Sequence, residues 1–307
     1  MARPDRRSST LSRPNRPVPG ILSALAIAFA LFWTVTPLLL AAVLSIKPRS
    51  EFFTGSVLPF FQFAPTLDHW RTEFAFFWFG PGMGQTLLNS TLIGGVSALL
   101  AVAVGGLAAQ QLASRPPRHF WPVFLLLLLP RLIPPVIVAL PFTRIMEGLG
   151  LHDSQLALIL GHTTLLLPWA FLILCGAVRA IPAELRAAAT LDGCGELQLL
   201  RWIILPLSSA SVLAAFTLCF ALSWNEYPFA ILNSGVHVTT VTGSVASLFT
   251  KDGVEFEYVG SHLLLTMAPP MVMALLARGA MTRALSLGAL EEPATVDSSS
   301  ERKSRTP

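Results

Sequence analysis

Six apolar stretches, each close to twenty residues, recur along this chain and confine it to one kind of fold. About 20 residues of helix cross the roughly 30 Å of hydrocarbon in a bilayer. Within that layer every peptide group must find an internal partner, so only helices or a closed barrel can span it. The stretches are Ile21–Leu44, Thr86–Ala108, Phe120–Phe142, Gln155–Val178, Ile204–Ala230 and Val259–Ala277. They are rich in Leu, Ala, Val and Ile and lack the period-two alternation of membrane strands. Composition agrees: 12% of the 307 residues are charged, about half the share usual in soluble domains. The expected fold class is an all-α polytopic membrane protein with six transmembrane helices. Pro130, Pro134, Pro135, Pro141 and Pro228 interrupt the third and fifth stretches and blur their ends.

The basic residues set the orientation. Of 21 Lys and Arg, 15 fall in the two tails and the 109–119 and 179–203 segments. Five fall in the segments of the opposite side, and Arg131 lies within the third stretch. Lys and Arg accumulate on the cytoplasmic side of membrane proteins, so both termini are expected there. The formal charge of +4 therefore reads as topology control, not as a nucleic-acid surface. The first stretch, Ile21–Val43, is too long for a signal-peptide core and is read as a retained span. Residues 1–19 form a basic tail, 20–277 the six-span domain and 278–307 a second tail. Within them, residues 1–17 and 291–307 have the composition of disordered segments.

Three segments lie on the outer side. Ser45 to Gln85 is long and aromatic, with EFF, FQF, HW and FAFFWF. It fits amphipathic pieces resting at the membrane interface and equally an ordered loop packed on the helices. The 144–154 segment is short. Leu232 to Tyr258 carries Gly235, Gly243 and Gly253 and is expected to face a partner or solvent.

One cytoplasmic segment stands out, IPAELRAAATLDGCGELQLLRWIILP from Ile181 to Pro206. Pro182 suits a first helical turn, where its missing N–H costs nothing. Glu184 lies near the positive end of that helix. Leu185, Ala188 and Ala189 can share a small-residue face that lets another protein approach the backbone. Gly193 supplies a helix end, and Asp192 can cap a second helix over Cys194–Trp202. Pro206 opens the next membrane segment. Two short helices at an angle result, either an interfacial link between spans or a docking surface.

This segment resembles the signature of ABC importer permeases, Glu-Ala-Ala, three residues, Gly, nine residues, Ile-x-Leu-Pro. Ala187, Ala188, Ala189, Gly193 and Ile203-Ile204-Leu205-Pro206 occupy its positions with every spacing kept. Ala187 stands where the family usually has a glutamate that helps bind a cleft of the ATPase subunit, and Glu184 and Arg186 are the nearby charges. Leu44-Ser45-Ile46-Lys47-Pro48, Leu88-Asn89-Ser90, Gly148-Leu149-Gly150-Leu151, Ser223-Trp224-Asn225-Glu226-Tyr227-Pro228 and Leu285-Ser286-Leu287-Gly288-Ala289 extend the resemblance over most of the chain. It is closest to the shorter membrane subunit of maltose-type carbohydrate permeases. The resemblance implies a type I importer fold in a bacterial inner membrane and alternating access. It implies a related permease as partner, a cytoplasmic ABC ATPase dimer that binds ATP and Mg, and an extracytoplasmic binding protein that delivers a sugar. It also implies that Glu184, Arg186, Ala187, Ala188, Ala189, Asp192, Gly193, Leu205 and Pro206 form the coupling loop. A permease for a polyamine, phosphate ester or peptide, and an ion-driven carrier, are the alternatives.

Polar groups inside the spans are candidates for a substrate path, because charge in a membrane is retained where it faces a cavity, water or a partner. They are Arg131, His162, Thr163, Ser223, Asn225 and Glu226. Each has a bland counterpart: Arg131 satisfying carbonyls freed at a proline kink, His162 and the hydroxyls bonding a neighbouring helix, Asn225 and Glu226 lying at headgroup level with Trp224 and Tyr227 as anchors. Gly94, Gly95, Gly105 and Gly106 read as packing positions. No CxxC, HExxH or P-loop occurs, so no catalytic set, metal site or cofactor is expected in the chain itself.

Overall fold

The computed structural model describes residues 20–79, 82–113, 115–235, 237–250, 253–254 and 256–289. The two segments expected to be disordered, 1–17 and 291–307, lie outside these residues. The described residues are mainly helical, with one two-stranded ribbon among them, β1 (Phe249–Thr250) against β2 (Gly253–Val254). Among the described residues, four helices contain segments long and apolar enough to cross a membrane: α1 (Ile21–Ser45), α3 (Met83–Ala113), α6 (Gln155–Arg179) and α13 (Phe256–Ala289). Between α1 and α3 lies α2 (Asp68–Phe79). The last apolar span, Tyr258–Gly279, agrees with the Val259–Ala277 expected from hydropathy, and its helix continues beyond it to Ala289.

The other two apolar stretches are bent. α4 (Pro117–Leu132) and α5 (Pro135–Gly148) meet at 92°. The cause is local: Pro134 and Pro135 offer no N–H to the preceding turn, and Pro134 drives Ile133 out of the helical region to φ −95°, ψ 142°. The second bend, 84°, separates the Glu196–Leu207 run from α10 (Ser209–Trp224). That run consists of α8 (Glu196–Leu199), a π-helical turn over Leu200–Ile204 and the single turn α9 (Leu205–Leu207). Pro206 cannot donate to the carbonyl of Trp202, and the backbone widens into the π turn just before it. Pro206 therefore sits on the polar side of the bend, and the membrane helix begins at Ser209. A short α11 (Pro228–Asn233) completes this span.

The centre is α3 packed along α6, with α10 laid across both. Small residues permit the approach. A Cβ on Gly105 would lie 2.9 Å from the Phe171 backbone nitrogen, and one on Gly94 would lie 3.3 Å from the Phe220 ring. Gly95 meets nothing within 4 Å, so the glycine pairs are only partly packing positions. The main apolar cluster joins Ala98, Ala101, Leu166, Phe171, Leu174, Ala215 and Phe220. α1 stands outside and contacts α13, leaving most of its surface exposed, as a lipid-facing helix must. Trp224 is not an interfacial anchor. It is 5% exposed and donates from Nε1 to the carbonyl of Thr266 at 3.1 Å. That carbonyl is the one Pro270 leaves without an intrahelical donor.

The end of the bundle opposite the polar segment is laced by backbone contacts. The buried Lys47 ammonium donates to the carbonyls of Thr54 (3.2 Å) and Ser56 (2.7 Å), and His69 Nε2 bonds the Lys47 carbonyl at 2.8 Å. α2 packs on α3 and α13, so the described part of the aromatic segment is tied to the helices through Lys47, His69 and α2, while residues 80–81 lie outside the described residues. The 232–244 stretch is likewise folded onto the bundle. Asn89 Nδ2 donates to the Thr239 carbonyl, and Ser90 Oγ accepts from the N–H of Val241, the first residue of α12 (Val241–Ser244).

Asp153 completes this lacing. Its φ of +56° is one an aspartate tolerates. Its carboxylate accepts from the N–H groups of Gly235 (2.7 Å), His237 (2.9 Å) and Val238 (3.0 Å). Burial alone would raise this carboxyl, but the three backbone donors outweigh it and hold it below the ordinary aspartate value of 3.8. A depressed folded-state pKa contributes stability above the unfolded value, and the contribution disappears as pH falls through the folded one.

Two outcomes follow. Gly105→Val should lower the stability of the purified protein by about 1–3 kcal/mol, seen as a lower melting temperature in detergent or nanodiscs. Asp153→Asn should cost about 1–2 kcal/mol at neutral pH. The gap from the wild type should persist as the pH falls to 3.8 and close only below it. A gap that closes near neutrality would contradict the clamp.

Candidate functional site

The polar segment forms two short helices at one end of the bundle. The first, α7 (Ala183–Leu191), starts after Pro182 and carries Glu184 in its first turn. It stops in a left-handed turn. Gly193 has φ +85°, its N–H bonds the Thr190 carbonyl at 3.1 Å, and the N–H of Cys194 bonds the Ala189 carbonyl at 3.0 Å. These paired bonds form a Schellman end, whose left-handed position glycine fills without penalty. Asp192 closes α7 and does not cap the following helix, contrary to the expectation from sequence. The second helix starts at Glu196 instead of Cys194, with the Gly195 N–H bonded to Gln198 Oε1 at 2.9 Å. Glycine allows two turns in quick succession, and Gln198 supplies the acceptor that Asp192 does not.

The outward face differs from the expected one. Ala189 is 6% exposed and turned inward, whereas Ala187 and Ala188 are exposed. Large apolar side chains are left uncovered by the chain: Leu191 is 88% exposed, Leu197 73% and Trp202 69%, with the Arg201 guanidinium 5.3 Å from the Trp202 ring centre. Glu184, Asp192, Gly193, Leu205 and Pro206 are also exposed, and Arg186 is half-buried.

What holds this surface to the membrane helices was not foreseen from the sequence. Gln110 Nε2, at the end of α3, donates to the Glu196 carbonyl (2.9 Å) and to Glu196 Oε2 (2.8 Å), and Gln111 Nε2 reaches the same carboxylate at 3.1 Å. Val178, Ile181 and Ile204 close a small apolar cluster beneath. Arg179 donates from Nε to the Ala113 carbonyl at 3.3 Å and lies 4.6 Å from the Phe120 ring centre. The signal was the Gln-Gln pair ending an otherwise apolar run. α8 is thus bonded to α3, and displacing one must pull on the other.

The second cluster lies among the spans. Arg131 Nη1 approaches Glu226 Oε2 at 3.6 Å, and His162 Nδ1 meets Ser223 Oγ at 2.6 Å. These four side chains, with Leu165, Leu166 and Leu222, line one shallow cleft. The sequence placed all four polar residues in spans but did not pair them, because Arg131 and Glu226 are 95 positions apart. Charges inside a membrane pair with one another, and here each stands beside a helix break. Arg131 precedes the α4–α5 bend, and Glu226 occupies the link between α10 and α11. Two other candidates do not join them. Thr163 Oγ1 bonds the Ile159 carbonyl of its own helix, and Asn225, exposed, bonds the Ala221 carbonyl.

Comparison with known proteins accounts for this layout. The model of binding-protein-dependent transport system inner membrane components matches residues 101–280. That span includes the polar segment, both bent helices and the ion pair. The melibiose/raffinose/stachyose import permease protein MelC of Bacillus subtilis is 28% identical over 83% of this chain and 91% of its own length. The trehalose transport system permease protein SugB of Mycobacterium tuberculosis is 28% identical over 89% and 96%. Among solved structures, a chain of a bacterial ABC transporter involved in import of the acidic polysaccharide alginate superimposes with a TM-score of 0.68 at 16% identity, covering 85% of this chain and 95% of that one. The architecture is therefore that of an ABC importer permease, and the chain belongs to the family of binding-protein-dependent transport system inner membrane components.

Proposed function

We propose that this permease carries a sugar inward across the inner membrane as half of a paired translocation unit, driven by a cytoplasmic ABC ATPase that docks on the Ile181–Pro206 segment. The observation that carries the reading is the geometry of that segment. It presents Leu191, Leu197 and Trp202 outward, while Glu196 is bonded to Gln110 and Gln111 of a membrane helix. A protein that moves the exposed face must transmit the motion to α3 through those bonds. The sugar assignment rests on the relatives whose names specify melibiose, raffinose, stachyose and trehalose.

In this reading the ends of α1 and α13 on the polar-segment side face the cytoplasm, matching the excess of Lys and Arg there. The ATPase subunits bind ATP and Mg and close. The polar segment follows, the cavity between the two permeases turns outward, and a binding protein releases sugar into it. This chain performs no chemistry. Ala187 removes one carboxylate from the docking contact, which leaves apolar burial by Leu191 and Trp202 as the main attraction, with Glu184 at the rim.

The test is co-purification with a related permease, an ABC ATPase and a binding protein, followed by ATPase measurement in lipid while trehalose, melibiose and raffinose are titrated. Stimulation that needs both binding protein and one sugar is the expected result. Stimulation by non-sugars alone would remove the carbohydrate claim, and transport that persists without any ATPase would contradict the importer reading. Gly193→Val forces a side chain into a left-handed conformation at about 1–2 kcal/mol. It should abolish most sugar-stimulated hydrolysis while the variant still inserts and purifies. Gln110→Leu together with Gln111→Leu should leave the ATPase bound but reduce sugar-stimulated turnover, because docking survives and transmission does not.

A further inference from the structure

The cleft at the two helix breaks has a chemistry of its own. Glu226 is 7% exposed and His162 3%. Glu226 Oε1 and His162 Nε2 are both buried and make no well-formed hydrogen bond among the described residues, although the Phe229 backbone N–H lies near the Glu226 carboxylate. Buried polar atoms are nearly always satisfied, so two orphans lining one cleft point to a group that binds between them. Arg131 and Glu226, 3.6 Å apart, cancel each other's charge. The cleft therefore offers no net attraction to an ion, but it offers an acceptor, a guanidinium donor and an imidazole nitrogen.

The His162–Ser223 bond leaves the imidazole adaptable. If Ser223 donates to Nδ1, then Nε2 carries the proton and donates outward. If Nδ1 donates to Ser223, Nε2 accepts. A hydroxyl group matches either state, and the same hydroxyl or its neighbour can donate to Glu226 Oε1. A carboxylate ligand matches less well, because it can donate nothing to Glu226 and must displace that residue from Arg131.

We propose that Arg131, Glu226, His162 and Ser223 form a subsite of the translocation path that selects uncharged, polyhydroxylated ligands, with the Arg131–Glu226 pair excluding acidic ones. The proposal rests on the sugar-importer reading above and adds to it the residues and the charge class. Placement supports it: the pair spans two broken membrane helices, and irregular backbone at membrane depth is found where it is buried in protein or lines a water-filled cavity.

The experiment uses the assembled permease–ATPase complex in nanodiscs without binding protein. Equilibrium binding is measured for the neutral sugar that stimulates ATPase activity, chosen from trehalose, melibiose and raffinose, and for glucuronate as the acidic probe. The wild type should bind the neutral sugar at least tenfold more tightly than glucuronate. Glu226→Gln leaves Arg131 unpaired. It should weaken neutral-sugar binding roughly tenfold, the scale of one lost buried hydrogen bond, and strengthen glucuronate binding by a similar factor. Arg131→Gln should weaken the neutral sugar without improving glucuronate. His162→Gln, which leaves the ion pair intact, should weaken the neutral sugar with the selectivity unchanged, and it keeps the test open if the ion-pair variants fail to assemble. The subsite is overturned if a sugar-stimulated wild-type complex binds no neutral sugar, if Glu226→Gln keeps the wild-type preference, or if His162→Gln binds as the wild type does. Absence of stimulation by any of these sugars in the wild type would instead remove the carbohydrate reading, and the proposal with it.

Discussion

The need to satisfy every backbone polar group inside hydrocarbon shapes the rest of this molecule. Straight helices meet it by themselves, and α1, α3, α6 and α13 contain such segments. Where proline breaks the pattern, another side chain or the protein interior must compensate. Trp224 donates to the carbonyl freed by Pro270, and this bond adds a polar tie to the packing of α10 on α13. At the Pro134–Pro135 break no straight continuation exists, so the chain turns through 92° and Arg131 is brought to face Glu226. The breaks are thus where polar chemistry enters the membrane region, and both members of the Arg131–Glu226 pair sit at one.

The same economy explains how the two ends of the bundle differ. At one end Asp153, Asn89, Ser90 and Lys47 use side chains to bind the backbone of loops, making a closed, ordered cap. At the other, the polar segment is tied down along one edge by Gln110 and Gln111, while Leu191, Leu197 and Trp202 are left uncovered. An apolar surface that is rigidly held and unprotected suits a partner that must both bind and move it. Gly193 makes this possible, because its left-handed turn sets α7 and α8 as separate helices instead of one continuous rod.

Much of the architecture was legible in the sequence because membrane insertion and helix ends obey short-range rules. The apolar lengths gave the spans, Pro182 and Gly193 gave the limits of α7, and the spacing from Ala187 to Pro206 gave the family resemblance. What was not legible depended on contacts between distant residues. The Arg131–Glu226 pair, the Asp153 clamp on 235–238 and the Gln110–Glu196 bond each join positions more than 80 apart, and no periodicity encodes them. Local competition explains the smaller misses. Asp192 was available as a cap, but Gly195 and Gln198 supplied a better one. Pro206 was read as the start of a membrane helix, yet the π turn it induces belongs to the polar run before the 84° bend. Trp224 carried the composition of an interfacial anchor, and only the position of Pro270 on another helix gave its N–H a buried partner.

The central claim is that the face bearing Leu191 is the docking surface through which a separate ATPase drives this permease. A photo-activatable amino acid placed at Leu191, and for comparison at the lipid-facing Leu276, which is 76% exposed, tests it directly in the assembled transporter in lipid. The account requires an ATPase cross-link from position 191 that changes in yield between ATP-bound and nucleotide-free states, and none from position 276. Labelling of lipid or of the partner permease from position 191, with the ATPase present and active, would contradict it.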